Sequence, residues 1–278
     1  MANRTVKRLH RAISDDIGDL RTQRPLPNPH LEQVDPFLFL NHHGPQVYPA
    51  NNRGLPFGPH PHRGFETVTF IVEGSLAHRD TGGHESVIDE GGVQWMTAGR
   101  GLEHAELSPE EFLRHGGPLE ILQLWVNLPS RLKMTDPRYT GLQKDQIPSF
   151  TTDGGRVKIN LISGEWDGHE GPVESLTNII MMTIELEPGG RVSLPVPRGH
   201  SVFLYVVRGE LRGAPEMHLV ELNDDGDTVE LEAVRKSLVL FGHAEPFGEP
   251  VVAHGPFVMN TREEIVQAVR DYQARLFG

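Results

Sequence analysis

The chain has 278 residues, which at roughly 150 residues per domain suggests two domains or one large one. A formal net charge of −12 argues against a broad face for nucleic acid or anionic lipid, because phosphate binding needs a basic surface. The absence of cysteine excludes disulfides, thiolate ligands, iron–sulfur clusters and a cysteine nucleophile.

The N-terminus MANRTVKRLHRA has no apolar signal core, and no run approaches the ~20 apolar residues of a membrane-spanning helix. The expectation is a cytoplasmic protein with no membrane and no direct nucleic-acid partner. Residues 1–35 are polar and proline-rich; Val6, Leu9 and Ile13 fit either a strand or a helical turn. Pro36–Leu40 predicts a short buried strand ending in a turn at Asn41–Pro45. His42 and His43 resemble a metal pair, but consecutive strand residues point to opposite faces, so they are not expected to be ligands together.

Runs at Thr67–Glu73, Val87–Ile88, Val93–Met96 and Ile121–Leu128, bounded by glycine, proline or acidic turns, predict the short strands of an all-β barrel or sandwich. Ser108 as N-cap, Pro109 at the first helical position and the acids Glu110 and Glu111 predict one turn of helix. Residues 129–150 are polar and lack periodicity, and they read as a linker, giving domains 1–135 and 136–278. Strands resume at Val157–Ile162, Ile179–Leu186, Val202–Val207, Met217–Leu222 and Ser237–Phe241. A terminal helix follows, with Thr261 and Glu264 as a capping box and Ile265, Val269, Tyr272 and Leu276 on one face.

An internal repeat supports two similar domains. At an offset of 135 residues, RGFETVTFIVEGSL lies over RGHSVFLYVVRGEL. That alignment puts Pro195 and Pro197 opposite His60 and His62, so the second domain is expected to hold no metal. His243 and Glu245 then form a decoy of the pattern at His104 and Glu106.

His60-x-His62 and His104-x-Glu106 each place two potential ligands on one face of an extended segment. Two such pairs on neighbouring strands would aim three imidazoles and a carboxylate at one ion. This nitrogen and oxygen set suits Fe(II), Mn(II), Ni(II), Cu(II) or Zn(II), not Ca²⁺. Four protein ligands on an octahedral ion leave two positions for water, dioxygen or substrate. Spacing alone leaves Glu66 open as an alternative to Glu106, or as a hydrogen-bond partner of a ligand imidazole. His78 is expected in a structural hydrogen bond within His78-Arg79-Asp80, His84 is expected to be solvated, and Phe70, Trp95 and Trp125 are expected in the core.

HPHRGFE with the following TVTFIVEG, His78-Arg79-Asp80, GGVQWMTAGRGLEHAE, LQLWVNLP, KMTDPRY and GPFVMNTREEIVQA together resemble the pirin family of the cupin superfamily. These blocks run in order along nearly the whole chain. The resemblance implies two cupin (double-stranded β-helix) barrels packed face to face, with a metal only in the first and a short C-terminal helix. It implies His60, His62, His104 and Glu106 as ligands, favouring Glu106 over Glu66, and iron as the usual metal. It also implies an activity like that of quercetin 2,3-dioxygenase, with a flavonol and dioxygen as substrates; in such a site Glu106, or a nearby carboxylate, would take the substrate proton as general base. A different role known in the family is a redox-responsive transcriptional co-regulator acting through protein partners. The chain departs from the family pattern at Asn41-His42-His43, where Asp-His-Phe is typical, and at His84-Glu85.

Overall fold

A computed structural model describes residues 2–277. By contacts the chain divides into two units made of interleaved segments. The first comprises Ser14–Thr22, Leu38–Lys144 and Phe247–Gly278; the second comprises Met1–Ile13, Gln23–Phe37 and Asp145–Pro246. A linear reading as 1–135 and 136–278 assigns each terminus to the nearer half, whereas contacts place each terminus with the other.

In the first unit, strands Arg138–Leu142, Val93–Thr97, Phe65–Glu73, Gly117–Asn127 and Phe37–Tyr48 lie side by side in that order. A four-stranded sheet has the order Phe57–His62, Leu102–Leu107, Ser75–Asp80, Glu85–Asp89. Alternation puts Ile71, Leu76, Ile88, Leu119 and Ile121 into a shared core with Leu20, Tyr48 and Phe112. Burying each such side chain contributes about 1.5–3 kcal/mol.

The second unit repeats this plan. Its main sheet runs Val6–Arg11, His218–Leu222, Ser201–Leu211, Thr228–Ala244, Ile180–Leu186, Val157–Ser163, Ser149–Thr152. Strand Arg191–Pro195 pairs with the beginning of Thr228–Ala244. Val6–Arg11 is therefore a strand, not a helical turn, and it ladders onto His218–Leu222. Val6 and Ile13 stay exposed while Leu9 packs on the core.

Several local expectations change. The strand from Phe37 does not stop at Asn41; it runs to Tyr48, because Gly117–Asn127 pairs beside it and supplies hydrogen bonds through the would-be turn. The short helix is Glu110–His115 with Pro109 as N-cap. Ser108 does not cap it, since its Oγ accepts from the Leu55 amide at 3.0 Å. The segment read as a linker contains Arg138–Leu142, which pairs with Val93–Thr97, and Ser149–Thr152, which pairs with Val157–Ser163. An edge strand needs only one partner and one apolar face, so its sequence carries little periodicity.

The terminal helix is Arg262–Gln273, and both halves of the Thr261–Glu264 capping box form. Ile265 and Ala268 are buried against Phe257 and Met259. Leu276 lies beyond the helix and is exposed; Phe277 packs in its place. Among the described residues, no helix is long and apolar enough to cross a membrane.

Candidate metal centre

Strands Phe57–His62 and Leu102–Leu107 are antiparallel, with His60 opposite His104 and His62 opposite Leu102. The two-residue period sends His60, His62 and His104 to one side. Their ligand atoms lie within 4.8 Å of one another, and Nε2 of His60 is 3.0 Å from Nε2 of His104. Two nitrogens each about 2.1 Å from one ion and at right angles to each other would be separated by about this distance.

The tautomers fit the same reading. Nδ1 of His60 donates to the Gly58 carbonyl at 2.8 Å, and Nδ1 of His62 faces the Pro256 carbonyl at 3.4 Å. A carbonyl can only accept, so each ring carries its proton on Nδ1 and turns a bare Nε2 inward. Burial, then the neighbouring His60, pushes His62 down to about 3. Burial, then His62, His60 and His78, holds His104 well below the ordinary histidine range. These two rings are neutral at pH 7, the form that binds metals. His104 Nδ1 is buried without a hydrogen-bond partner. The donor set fits a divalent transition metal.

The group of ligand atoms within 4.8 Å of one another holds the three histidines and not Glu106. The ladder is irregular between His104 and Glu106, so Glu106 lies opposite Phe57. Its carboxylate is buried, accepting from Thr69 Oγ1 at 2.9 Å and from Gln123 Nε2. Those two partners lie on the facing sheet and follow no ligand motif, and spacing did not single them out. Glu66 bonds to no imidazole: it accepts from Thr97 Oγ1 at 2.6 Å, and burial raises its pKa to about 7.

His78 and Asp80 form the expected bond, 3.0 Å from Nε2 to Oδ2. His84 is half exposed, yet its Nδ1 also lies 3.1 Å from the Asp80 carboxylate. The Tyr139 ring stacks on His78 at 4.1 Å, so the supposed linker supplies one wall of the His78 environment. His42 and His43 do point apart: His42 meets Glu120 at 2.7 Å and His43 meets Thr22 at 2.9 Å. Phe70 and Trp95 are core residues, whereas Trp125 sits between Phe39, Phe65 and the ring of His62.

In the second unit, Val192 lies opposite Leu231 and Leu194 opposite Val229. Val192, Leu194, Val229 and Leu231 all belong to that unit's buried apolar core and carry no ligand atom. His243 meets only one histidine, His200, with Nδ1 atoms 3.0 Å apart.

Comparison with known proteins decides the family. The Pirin profile matches residues 19–126, and the Pirin C-terminal cupin domain matches 181–278. The chain belongs to the pirin family. Human Pirin is 40% identical over 97% of this chain and 91% of its own length. A Pseudomonas aeruginosa pirin relative, whose quercetin 2,3-dioxygenase name is provisional, is 38% identical over 87% of this chain and 86% of its own. A crystal structure of quercetin 2,3-dioxygenase from Acinetobacter baumannii superposes with a TM-score of 0.93 at 32% identity, covering 100% of this chain and 99% of that one. As expected of a pirin, the molecule is mostly β, with two cupin domains and a short C-terminal helix.

Proposed function

We propose that this pirin is a metal-dependent dioxygenase acting on flavonol-type substrates such as quercetin, with Fe(II) held by His60, His62 and His104 and Glu106 as fourth ligand. The observation that carries the reading is the convergence of three imidazoles, with Nε2 of His60 and Nε2 of His104 3.0 Å apart. The names borne by the Pseudomonas and Acinetobacter relatives supply the substrate class.

When bound, such an ion supplies Lewis-acid activation of a substrate hydroxyl and a place for dioxygen. The chain's own contribution starts with orientation. The carbonyls of Gly58 and Pro256 hold the His60 and His62 rings in the ligating tautomer. Thr69 and Gln123 donate to the Glu106 carboxylate and keep it aimed. Glu106 then takes the proton of the flavonol 3-hydroxyl as general base. Trp125, packed against His62, offers an aromatic wall to a flat substrate.

The test is oxygen uptake by iron-loaded protein mixed with quercetin, with His60→Ala and His104→Ala as controls. Uptake that both substitutions abolish supports the proposal. Full activity after exhaustive chelation sinks it. Absence of uptake across a flavonol panel, together with a protein partner captured in only one iron oxidation state, would move the assignment to a redox-responsive regulator.

A further inference from the structure

The strands Val93–Thr97, Phe65–Glu73 and Gly117–Asn127 set Gln94, Thr69 and Gln123 opposite one another in register. In-register partners project from the same face of a sheet, so the three side chains form one row. That face looks onto the candidate metal centre. Thr69 Oγ1 and Gln123 Nε2 both donate to the Glu106 carboxylate. Met96, two residues along the strand from Gln94, packs on Leu102, which lies opposite His62.

Two members of the row therefore hold Glu106, and the third holds nothing. Gln94 Nε2 is buried without a hydrogen-bond partner. The residue in register on its other side is Gly141, which has no side chain to offer. The nearby Tyr139 hydroxyl is engaged with Ser86 Oγ. A buried donor without an acceptor is costly, and an oxygen brought by a bound molecule would relieve it. Gln94 is 2% exposed, the same as His104 and Glu106, so burial does not set it apart from groups that a substrate of this site must reach.

We propose that Gln94 is a specificity-determining residue of this site, its Nε2 donating to an oxygen that the substrate carries beyond those meeting the metal. The inference rests on the dioxygenase reading above and narrows its substrate class to flat aromatics with several oxygens. A hydroxyl or carbonyl oxygen can accept from Nε2, whereas a bare ring edge cannot.

Calorimetry of the iron-loaded, full-length protein under nitrogen, where no oxidation can follow, compares quercetin with 3-hydroxyflavone. The second compound keeps the hydroxyl beside the carbonyl and lacks the remaining hydroxyls. Quercetin should bind about ten-fold more tightly, the margin of one well-made hydrogen bond. Gln94→Met keeps the length of the side chain and removes the donor. It should weaken quercetin about ten-fold and leave 3-hydroxyflavone within about two-fold. The urea midpoint should not fall, because the deleted group has no partner in the folded chain. Equal effects on the two flavonols, including none on either, overturn the proposal; no effect is what a trapped water at Nε2 would give. A lowered midpoint or a failure to fold makes Gln94 a structural residue and overturns it as well.

Oxygen uptake separates the role of Gln94 from the dioxygenase reading. Uptake in which Gln94→Met raises KM for quercetin about ten-fold and retains kcat supports both. Uptake with an unchanged KM overturns the role of Gln94 alone. Selective binding that Gln94→Met abolishes, with no uptake by either protein, keeps Gln94 as a binding residue and overturns the dioxygenase. No heat with either flavonol overturns both.

Discussion

Arg63 Nη1 donates to Asp271 Oδ2 at 2.7 Å, which ties the terminal helix to the residue beside the candidate ligand His62. Arg63 also lies over the Phe277 ring at 4.6 Å, and its backbone exchanges hydrogen bonds with Pro256 and Val258. The C-terminal segment therefore positions His62 from behind. Replacing Arg63 by Met is expected to cost about 1–3 kcal/mol of stability and about ten-fold in metal affinity. Titration calorimetry and urea unfolding check both; unchanged metal affinity would separate the strap from the site.

His60 is partly exposed, while His62 and His104 are buried. His60→Ala should remove metal binding while leaving the unfolding free energy of the metal-free protein within about 0.5 kcal/mol of the parent. Metal analysis after dialysis against iron(II), beside the unfolding curve, makes the comparison.

The pH dependence follows from the two buried rings. His62 and His104 have folded-state pKa values below the unfolded value of about 6.5, so the unfolded chain takes up more protons in acid. Their contribution to stability is complete above about 6.5 and is lost as pH falls below it, for His62 toward about 3. Metal should stay bound while these rings are neutral and leave as pH falls toward about 3, because protonated imidazole cannot ligate. Metal content that stays constant well below pH 3 with the fold retained would contradict ligation by these histidines.

Lys133 is buried, and its Nζ donates to Gly64 O, Asn127 Oδ1 and Val258 O at 2.8–2.9 Å. Burial lowers its pKa to about 8. Lys133→Met leaves three buried acceptors without a donor and should destabilise by on the order of 3 kcal/mol. Gly64 is a second weak point in the same place: at φ +88° an added Cβ would sit 2.0 Å from Val258 O. Gly64→Ala should destabilise by a similar amount, read from chemical denaturation.

Glu106→Gln keeps the shape of the side chain and removes the base. If Glu106 both ligates and takes the substrate proton, turnover should fall by about 10²–10⁴-fold. Metal affinity should fall far less than in His104→Ala. Equal loss of both properties would make Glu106 a ligand without a proton-transfer role.

What sequence alone determined here follows from strict local periods. His60, His62 and His104 could be placed together because strand alternation is invariant over two residues, and the last helix could be placed from the Thr261–Glu264 cap. The two-fold repeat was readable because the apolar runs recur with the same Gly-x-Leu ending. Tertiary structure decided what local periods do not encode. The ladder beside His60 is irregular between His104 and Glu106, and only the facing strands reveal Thr69 and Gln123 as partners of Glu106. Arg138–Leu142 becomes a strand because Val93–Thr97 offers it an edge. Each terminus joins the unit distant in sequence, where the Val6–Arg11 strand and the Arg262–Gln273 helix find hydrogen bonds and apolar contacts that their own neighbours do not supply. Register and long-range pairing depend on which surfaces meet, and that is a property of the folded chain as a whole.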